Sequence, residues 1–403
     1  MKVTTYNMLS FDDCESMLRE DLASKYYYLE SDGKQYGIIL LSEIPLDVEK
    51  ITFGDFAIRT LHRDKTEFFK PYPLLLYLPT KFDFLTSPLV GEAVAAILSF
   101  SLRRRIKAYR RSITPSEVEQ GRLPEEIFIY LSSISVGPER SLQQPLTLEE
   151  QKKRFSTLKF IYDKLMRMKK DDYLATIRGL HLYQLALLTY REDVGLAYTL
   201  LVAAIETMAQ QFIKKSNLDI SFDDLSDAKG WLKFFDEEHL SDELREKIKK
   251  KLIKKEGFLS LIFRQFIIDN LPESFWTAPD SRAREFDEYI NDLRSRYFSE
   301  EHLKENLDHF ERYWWLYDPR RRITKEELEE VLKNIYKLRS KFAHLGESPP
   351  VEVTDLYETA ELKLKISGEK TRVEFVKALP PFFWFERVVH ESIMNFLQNE
   401  TSK

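Results

Sequence analysis

The chain has 403 residues, 43% of them apolar and 13% aromatic, which is enough for two or three domains with real cores and too apolar for a disordered chain. Its formal net charge is −5 with 32% charged residues, which excludes bulk electrostatic binding of nucleic acid; any contact with RNA or DNA needs a local patch. The single cysteine, Cys14, excludes an internal disulfide and a cysteine-built zinc site, and reads as a small packed side chain.

The opening "MKVTTYNMLSFDDCESMLRE" has no apolar run of the kind a secretory signal carries, and no stretch approaches the roughly 20 apolar residues of a membrane span. The expectation is a cytoplasmic protein without membrane contact. The runs "KYYYLE", "QYGIILLSEI", "ITFGDFAIRTLH" and "YPLLLYLP" are short, β-branched or aromatic, and separated by turn-like segments. Asp32–Gly33 is a hairpin turn signal. Residues 1 to about 85 therefore read as a small, largely antiparallel sheet. "SPLVGEAVAAILSFSLRRRIKAYRR" reads as a helix with an apolar front and a basic end. Its cluster Arg103, Arg104, Arg105, Arg110 and Arg111 has two readings, a solvated helix terminus or a phosphate-contacting patch.

Residues 112–150 contain Pro115, Pro124, Pro138 and Pro145 and one β-like run, "IFIYLSSISV", and form a connecting region. From about 150 the pattern turns helical. Apolar residues recur at i, i+3, i+4, most regularly at Ala197, Leu200, Leu201, Ala204, Ile205, Met208 and Phe212, with Asp193 as N-cap. Residues 215–325 are more charged. They include "DELREKIKKKLIKKEG", a solvated helix, and "FERYWWLYDPRRR", which ends in Arg320, Arg321 and Arg322. Thr324 and Glu327 have capping-box spacing ahead of "ITKEELEEVLKNIYKLRSKFAHLG", and a last helix begins at "LPPFFWFERVVHESIMNFLQ" with proline at its entry. The fold class expected is α+β: a β-rich N-terminal domain over 1–150, with one helix and a proline-containing connector. An all-helical domain over 151–403 follows, with an insert at about 215–325.

One residue departs from its pattern. On the helix after Thr324, Leu328, Val331, Leu332, Ile335 and Phe342 share a stripe, and Arg339 falls in its middle. A guanidinium keeps its charge, so an apolar setting obliges it to find an anion and several acceptors. His344 lies about 140° further round an ideal helix, so the two side chains meet only if the helix loosens near Ala343 or the length of arginine closes the gap. Gly346, Pro349 and Pro350 mark a helix end there, where the macrodipole favours imidazolium. Dipole compensation alone also accounts for a basic pair at a helix C-terminus. Arg296 and His302 repeat the spacing with one more residue between them, among charged neighbours, and read as surface.

"YKLRSKFAHLG" resembles the R-x4-6-H motif of HEPN domains, helical modules common in toxin–antitoxin and phage-defence ribonucleases. "GLAYTLLVAAIETM", the aromatic helical insert and "LPPFFWFERVVHESIMNFL" resemble the ApeA-like and related branch, over roughly residues 170–400. The resemblance implies an all-α HEPN bundle and metal-independent endoribonuclease activity at a site composed by two protomers. Arg339 and His344 would be catalytic, with Ser340 a weaker contributor. Glu206 matches a recurrent acid of these families and would orient the arginine, although helical geometry puts it opposite its own apolar stripe, where it reads as solvated. Lys341 and Arg320–Arg322 are candidates for the RNA backbone, or ordinary surface charge. The partners implied are RNA, a second copy of the chain, and an antitoxin or phage-derived trigger.

The alternative is a non-catalytic HEPN module that binds RNA or a protein. His181 falls on an apolar face and reads as core, while His390 falls on the polar side of the last helix. A metal-dependent hydrolase is a poor fit because none of the seven histidines stands at H-x-x-x-H or H-E-x-x-H spacing, and no metal or cofactor is expected. Only 12 glycines occur, without a phosphate-binding loop.

Overall fold

The computed structural model describes residues 33–61 except 48, 72–119 except 85, 146–214 except 191, 218–277 with interruptions of one or two residues, 324–345 and 380–399 except 381, with residues 16–19 and 22. Cys14, the "KYYYLE" and "IFIYLSSISV" runs, the first half of the hairpin expected at Asp32–Gly33 and the Arg320–Arg322 cluster lie outside these residues.

Strands β1 (Gly37–Ser42), β2 (Ile51–Phe53), β3 (Phe56–Thr60) and β4 (Tyr72–Tyr77) arise where the apolar runs predict them. A fifth, β5 (Ile106–Ala108), completes an antiparallel sheet of order β2-β3-β4-β1-β5. All six residues of β1 are buried, because both of its faces are covered. Ile38 and Leu40 join the main core, whereas Ile39 and Leu41 pack with Leu75, Tyr109, Ile113 and Val118 on the opposite face. The two-residue turn between β2 and β3 requires Gly54, whose φ is +51° and whose absent side chain makes room for the Tyr162 ring.

Helix α1 (Ser87–Leu102) lies on the sheet, with Gly91 allowing close approach to Ile38. After the short α2 (Pro115–Glu119) the helical part follows as α3 (Leu148–Arg167), α4 (Lys170–Thr189), α5 (Val194–Phe212), α6 (Ala228–Glu237), α7 (Asp242–Lys255), α8 (Leu259–Asn270), α9 (Ser274–Thr277), α10 (Leu328–Leu345) and α11 (Phe382–Asn399). The α+β class expected from the sequence is what the structure shows. Thr147 and Glu150 form a reciprocal capping box on α3, and the Asp193 carboxylate accepts the Leu196 N–H at 2.9 Å to start α5. Helix α5 is the hub: α4, α8, α10 and α11 all pack against it. A single cluster of buried side chains runs from the sheet (Ile38, Phe53) through α1 (Val94) to Ile205, Phe263, Ile335 and Leu397. Among the described residues, no helix is long and apolar enough to cross a membrane.

The arginine cluster corrects the sequence reading. Helix α1 stops at Leu102, nine residues before the basic run ends, with Arg103 in the left-handed region at φ 53°. The chain then turns back, and Ile106–Ala108 pairs with β1. Arg103, Arg104 and Arg105 are neither a solvated terminus nor a surface patch; each is at most 4% exposed. Arg103 meets Glu386 of α11 side-on, Nε to Oε1 at 3.0 Å and Nη2 to Oε2 at 2.7 Å, and Tyr183 of α4 also donates to Oε1. Arg105 pairs with Glu43 at 2.6 Å, and that carboxylate also accepts the Arg105 backbone N–H at 2.9 Å. Only Arg110 and Arg111 are exposed, Arg110 pairing with Glu92 at 3.2 Å.

Breaking one partner of a buried ion pair strands the other charge in the core. Glu386→Ala should therefore lose about 3–5 kcal/mol of unfolding free energy in urea titrations, and the double variant Arg103→Met/Glu386→Leu should regain much of it. A single-variant loss below about 1 kcal/mol would show that the trio does not hold the two segments together.

Candidate functional site

Helix α10 begins where the sequence places it: the Glu327 carboxylate accepts the Thr324 N–H at 2.9 Å, one half of the expected capping box. Its apolar stripe is buried at Leu328, Leu332 and Ile335 and packs on α5 and α8. The Arg264 guanidinium of α8 clamps Glu329 at 2.7 Å, and Phe263 and Tyr336 have ring centroids 5.6 Å apart. Burial then fades along the same stripe. Arg339, Ser340 and Phe342 are half-buried, and Lys341 and Ala343 are exposed.

The anion that Arg339 requires comes from α5. Its Nη2 donates to Glu206 Oε2 at 2.7 Å, and the Tyr336 hydroxyl donates to Glu206 Oε1, also at 2.7 Å. The guanidinium carbon stands 5.8 Å from the Tyr336 ring centre, within reach of a cation–π contribution. Burial, and then the Glu206 carboxylate, push the Tyr336 phenol well above its ordinary value, so it is a fixed hydrogen-bond donor at any working pH. Glu206 corrects the expectation of a solvated residue: it is 6% exposed because α10 covers the side of α5 opposite that helix's own stripe.

The pairing is incomplete. The Arg339 side chain retains 23% exposure, and its Nε is buried with no acceptor among the described residues. A donor left so costs about 1–3 kcal/mol, and Nε of Arg264, whose Nη1 pairs with Glu329, is buried in the same way. Tyr336, which the sequence reading did not single out, completes the trio. Its position three residues before Arg339, on the same helix face, is the signal that could have found it.

The helix does not loosen near Ala343; it continues to Leu345. His344 therefore lies about 140° around the axis and about 7.5 Å along it from Arg339, on the side that carries the exposed Lys333 and Lys337. Within one protomer the backbone does not bring the two motif positions to one face. The side chain of His344, like Arg320–Arg322, lies outside the described residues. Among the described residues no three His, Cys, Asp or Glu side chains converge as a metal ligand set.

Two other histidines are core residues. His181 is buried, as its apolar face predicts, and burial followed by the positive field of Arg110 lowers its pKa to about 3. His390 corrects the sequence reading. It is buried rather than on a polar side, its ring 4.6 Å from that of Phe100 and tilted 33° to it, because α11 is covered nearly all round, and burial lowers its pKa too. Both are neutral in the folded chain, while unfolding releases them to a value near 6.5. The unfolded chain thus binds the proton first. Stability is full above about pH 6.5 and falls with pH below it, for His181 down to about 3, by at most about 1.4 kcal/mol per pH unit for each histidine. Urea unfolding at pH 7, 6 and 5 should show this decline, and His181→Gln should reduce its slope. No known family model, curated protein or solved structure matches the chain.

Proposed function

We propose that the chain is a metal-independent endoribonuclease of the HEPN type, acting on RNA at a site composed by two copies of α10, in phage defence or as a toxin. One observation carries the reading. Arg339 is oriented by Glu206 and Tyr336 yet left half-paired among the described residues, near the C-terminal end of a helix that bears His344 five residues on. The chemistry suits these residue types. Cleavage begins when a 2′-hydroxyl loses its proton and attacks the adjacent phosphorus, and an imidazole accepts that proton near neutral pH. A second imidazole, from the partner copy, protonates the departing 5′-oxygen. The planar guanidinium donates to the phosphate oxygens as their charge grows. The products are a 2′,3′-cyclic phosphate and a 5′-hydroxyl. Ser340, half-buried beside Arg339, and Lys341, exposed one residue later, lie where substrate contacts are available. Arg320–Arg322 keep the role of backbone contacts in this proposal.

A specific observation favours a second reading, a non-catalytic module that binds RNA or a protein. Glu206 already gives Arg339 an internal counter-ion, and the unbroken helix keeps His344 on another side. The two readings part in one experiment. The purified chain is incubated with total RNA in EDTA and the new ends are analysed. The nuclease reading expects cyclic-phosphate ends, and at least a ~100-fold loss of rate in either Arg339→Lys or His344→Gln. Arg339→Lys keeps a cation for Glu206 but removes the fork, so its effect does not arise from stranding a buried carboxylate. Binding without cleavage, or a fully active double variant, overturns the assignment.

A further inference from the structure

Two arginine–glutamate–tyrosine trios occur in the described residues, and they differ in one bond. In the core, Glu386 closes on Arg103 through both Nε and Nη2, while Tyr183 donates to the Oε1 that also takes Nε. That guanidinium is 5% exposed and doubly paired. At the end of α10, Glu206 takes only Nη2 of Arg339. Its other oxygen is turned to Tyr336, and Nε, which is buried, has no acceptor among the described residues. The same three residue types therefore make a closed pair in one place and an open one in the other.

The two trios also differ in where the hydroxyl comes from, while Arg264 pairs with Glu329 through Nη1 and leaves its Nε buried without any tyrosine hydroxyl on that carboxylate among the described residues. Tyr336 is one helical turn before Arg339 on the same element, so its O–H reaches the Glu206 oxygen that a side-on pairing would give to Nε. Tyr183, by contrast, comes from a different helix from either charged partner and approaches Oε1 without displacing Nε. An oriented but half-neutralised guanidinium, a quarter exposed, keeps donor capacity for a second anion. A doubly paired one keeps three N–H donors but has given its Nε edge to the carboxylate.

We propose that Tyr336 is a positioning residue: its hydroxyl holds Glu206 to a single bond with Arg339 Nη2, away from the buried Nε, and so aims the exposed part of the guanidinium at one tetrahedral oxyanion, a phosphodiester group of RNA. The identity of that anion rests on the nuclease reading; the holding action of Tyr336 does not. The raised pKa of the phenol fits the role, because the hydroxyl never becomes a second anion beside Glu206.

The test uses the full chain and needs no cleavage. An oligonucleotide whose 2′-hydroxyls are all O-methylated is titrated by fluorescence anisotropy, and the Nε–H resonance of Arg339, assigned by its loss in Arg339→Lys, is followed by ¹⁵N NMR. Tyr336→Phe frees Glu206 to close side-on. The Nε–H resonance should then shift as carboxylate bonding forms, while affinity for the oligonucleotide falls about tenfold, the equivalent of ~1.4 kcal/mol. Tyr336→Phe/Glu206→Gln should recover binding, since a neutral amide does not cancel the cation. A purely structural tyrosine would instead lower the melting temperature and leave both affinity and resonance in place. An unmoved Nε–H resonance in Tyr336→Phe overturns the proposal. If the resonance shifts but Arg339→Lys binds the oligonucleotide as well as the wild-type chain does, the holding action stands and RNA as the anion is overturned.

Discussion

The carboxylate of Glu386 is withdrawn from water and grips Arg103 across 283 residues of sequence, with Tyr183 as a third partner. A guanidinium cannot shed its charge, so a core that contains one must bring an anion to it from wherever the chain allows. Here the anion comes from the last helix. Sheet, α1, α4 and α11 are thereby held in one arrangement, since any relative slide would strand a full charge in an apolar core. Arg105 and Glu43 do the same at the near edge of the sheet. The left-handed backbone at Arg103, unusual for a residue with a side chain, is tolerated because the guanidinium bonds over-determine it. These contacts supply register rather than bulk stability, which comes from the continuous apolar core around them.

The same demand explains the end of α10. Leu332 and Ile335 bury the helix against α5 and α8, and one turn later the stripe offers Arg339 where an aliphatic residue would pack better. Glu206 answers part of the charge. What differs from the core trio is the degree of closure, set by which oxygen the tyrosine takes. A purely structural ion pair gains from being closed, because each buried orphan donor subtracts from stability. An anion-binding arginine gains from being aimed and left partly unpaired. In the proposed reading, the geometry at 206, 336 and 339 is of the second kind.

Helical periodicity carried the sequence far along α5 and α10. Of the residues it assigned to the α5 stripe, Ala197, Leu201, Ala204, Ile205 and Met208 are buried and Leu200 and Phe212 half-buried, and Asp193 caps as its side chain dictates. The same logic misplaced Glu206 and His390. A period reports how apolar one face is; it is silent on how many neighbours a helix has. Helix α5 is packed by four others, so its polar side is also interior, and a carboxylate there is buried because another helix brings it a partner. The arginine run at 103–105 failed for a related reason. A row of cations next to an apolar helix looks like a solvated terminus unless one knows that Glu386 arrives nearly three hundred residues later. Strand β5, three residues long, has too little pattern of its own and exists because β1 offers an unpaired edge. At Arg339 the conflict between residue and pattern was visible from the sequence. Its resolution by Tyr336 needed three-dimensional distances.

The straightness of α10 constrains the mechanism more than the motif does. With the helix intact to Leu345, positions 339 and 344 lie about 140° apart around the helix axis. In the proposed reading, a single chain is therefore a poor catalyst for in-line cleavage. In that reading a two-fold axis near the C-terminal end of α10 changes the relation: each phosphate would meet the guanidinium of one copy and the imidazole of the other. In the proposed reading, dimerisation is then part of the catalytic geometry itself, and a chain unable to pair would retain Arg339, His344 and their holders yet assemble no site.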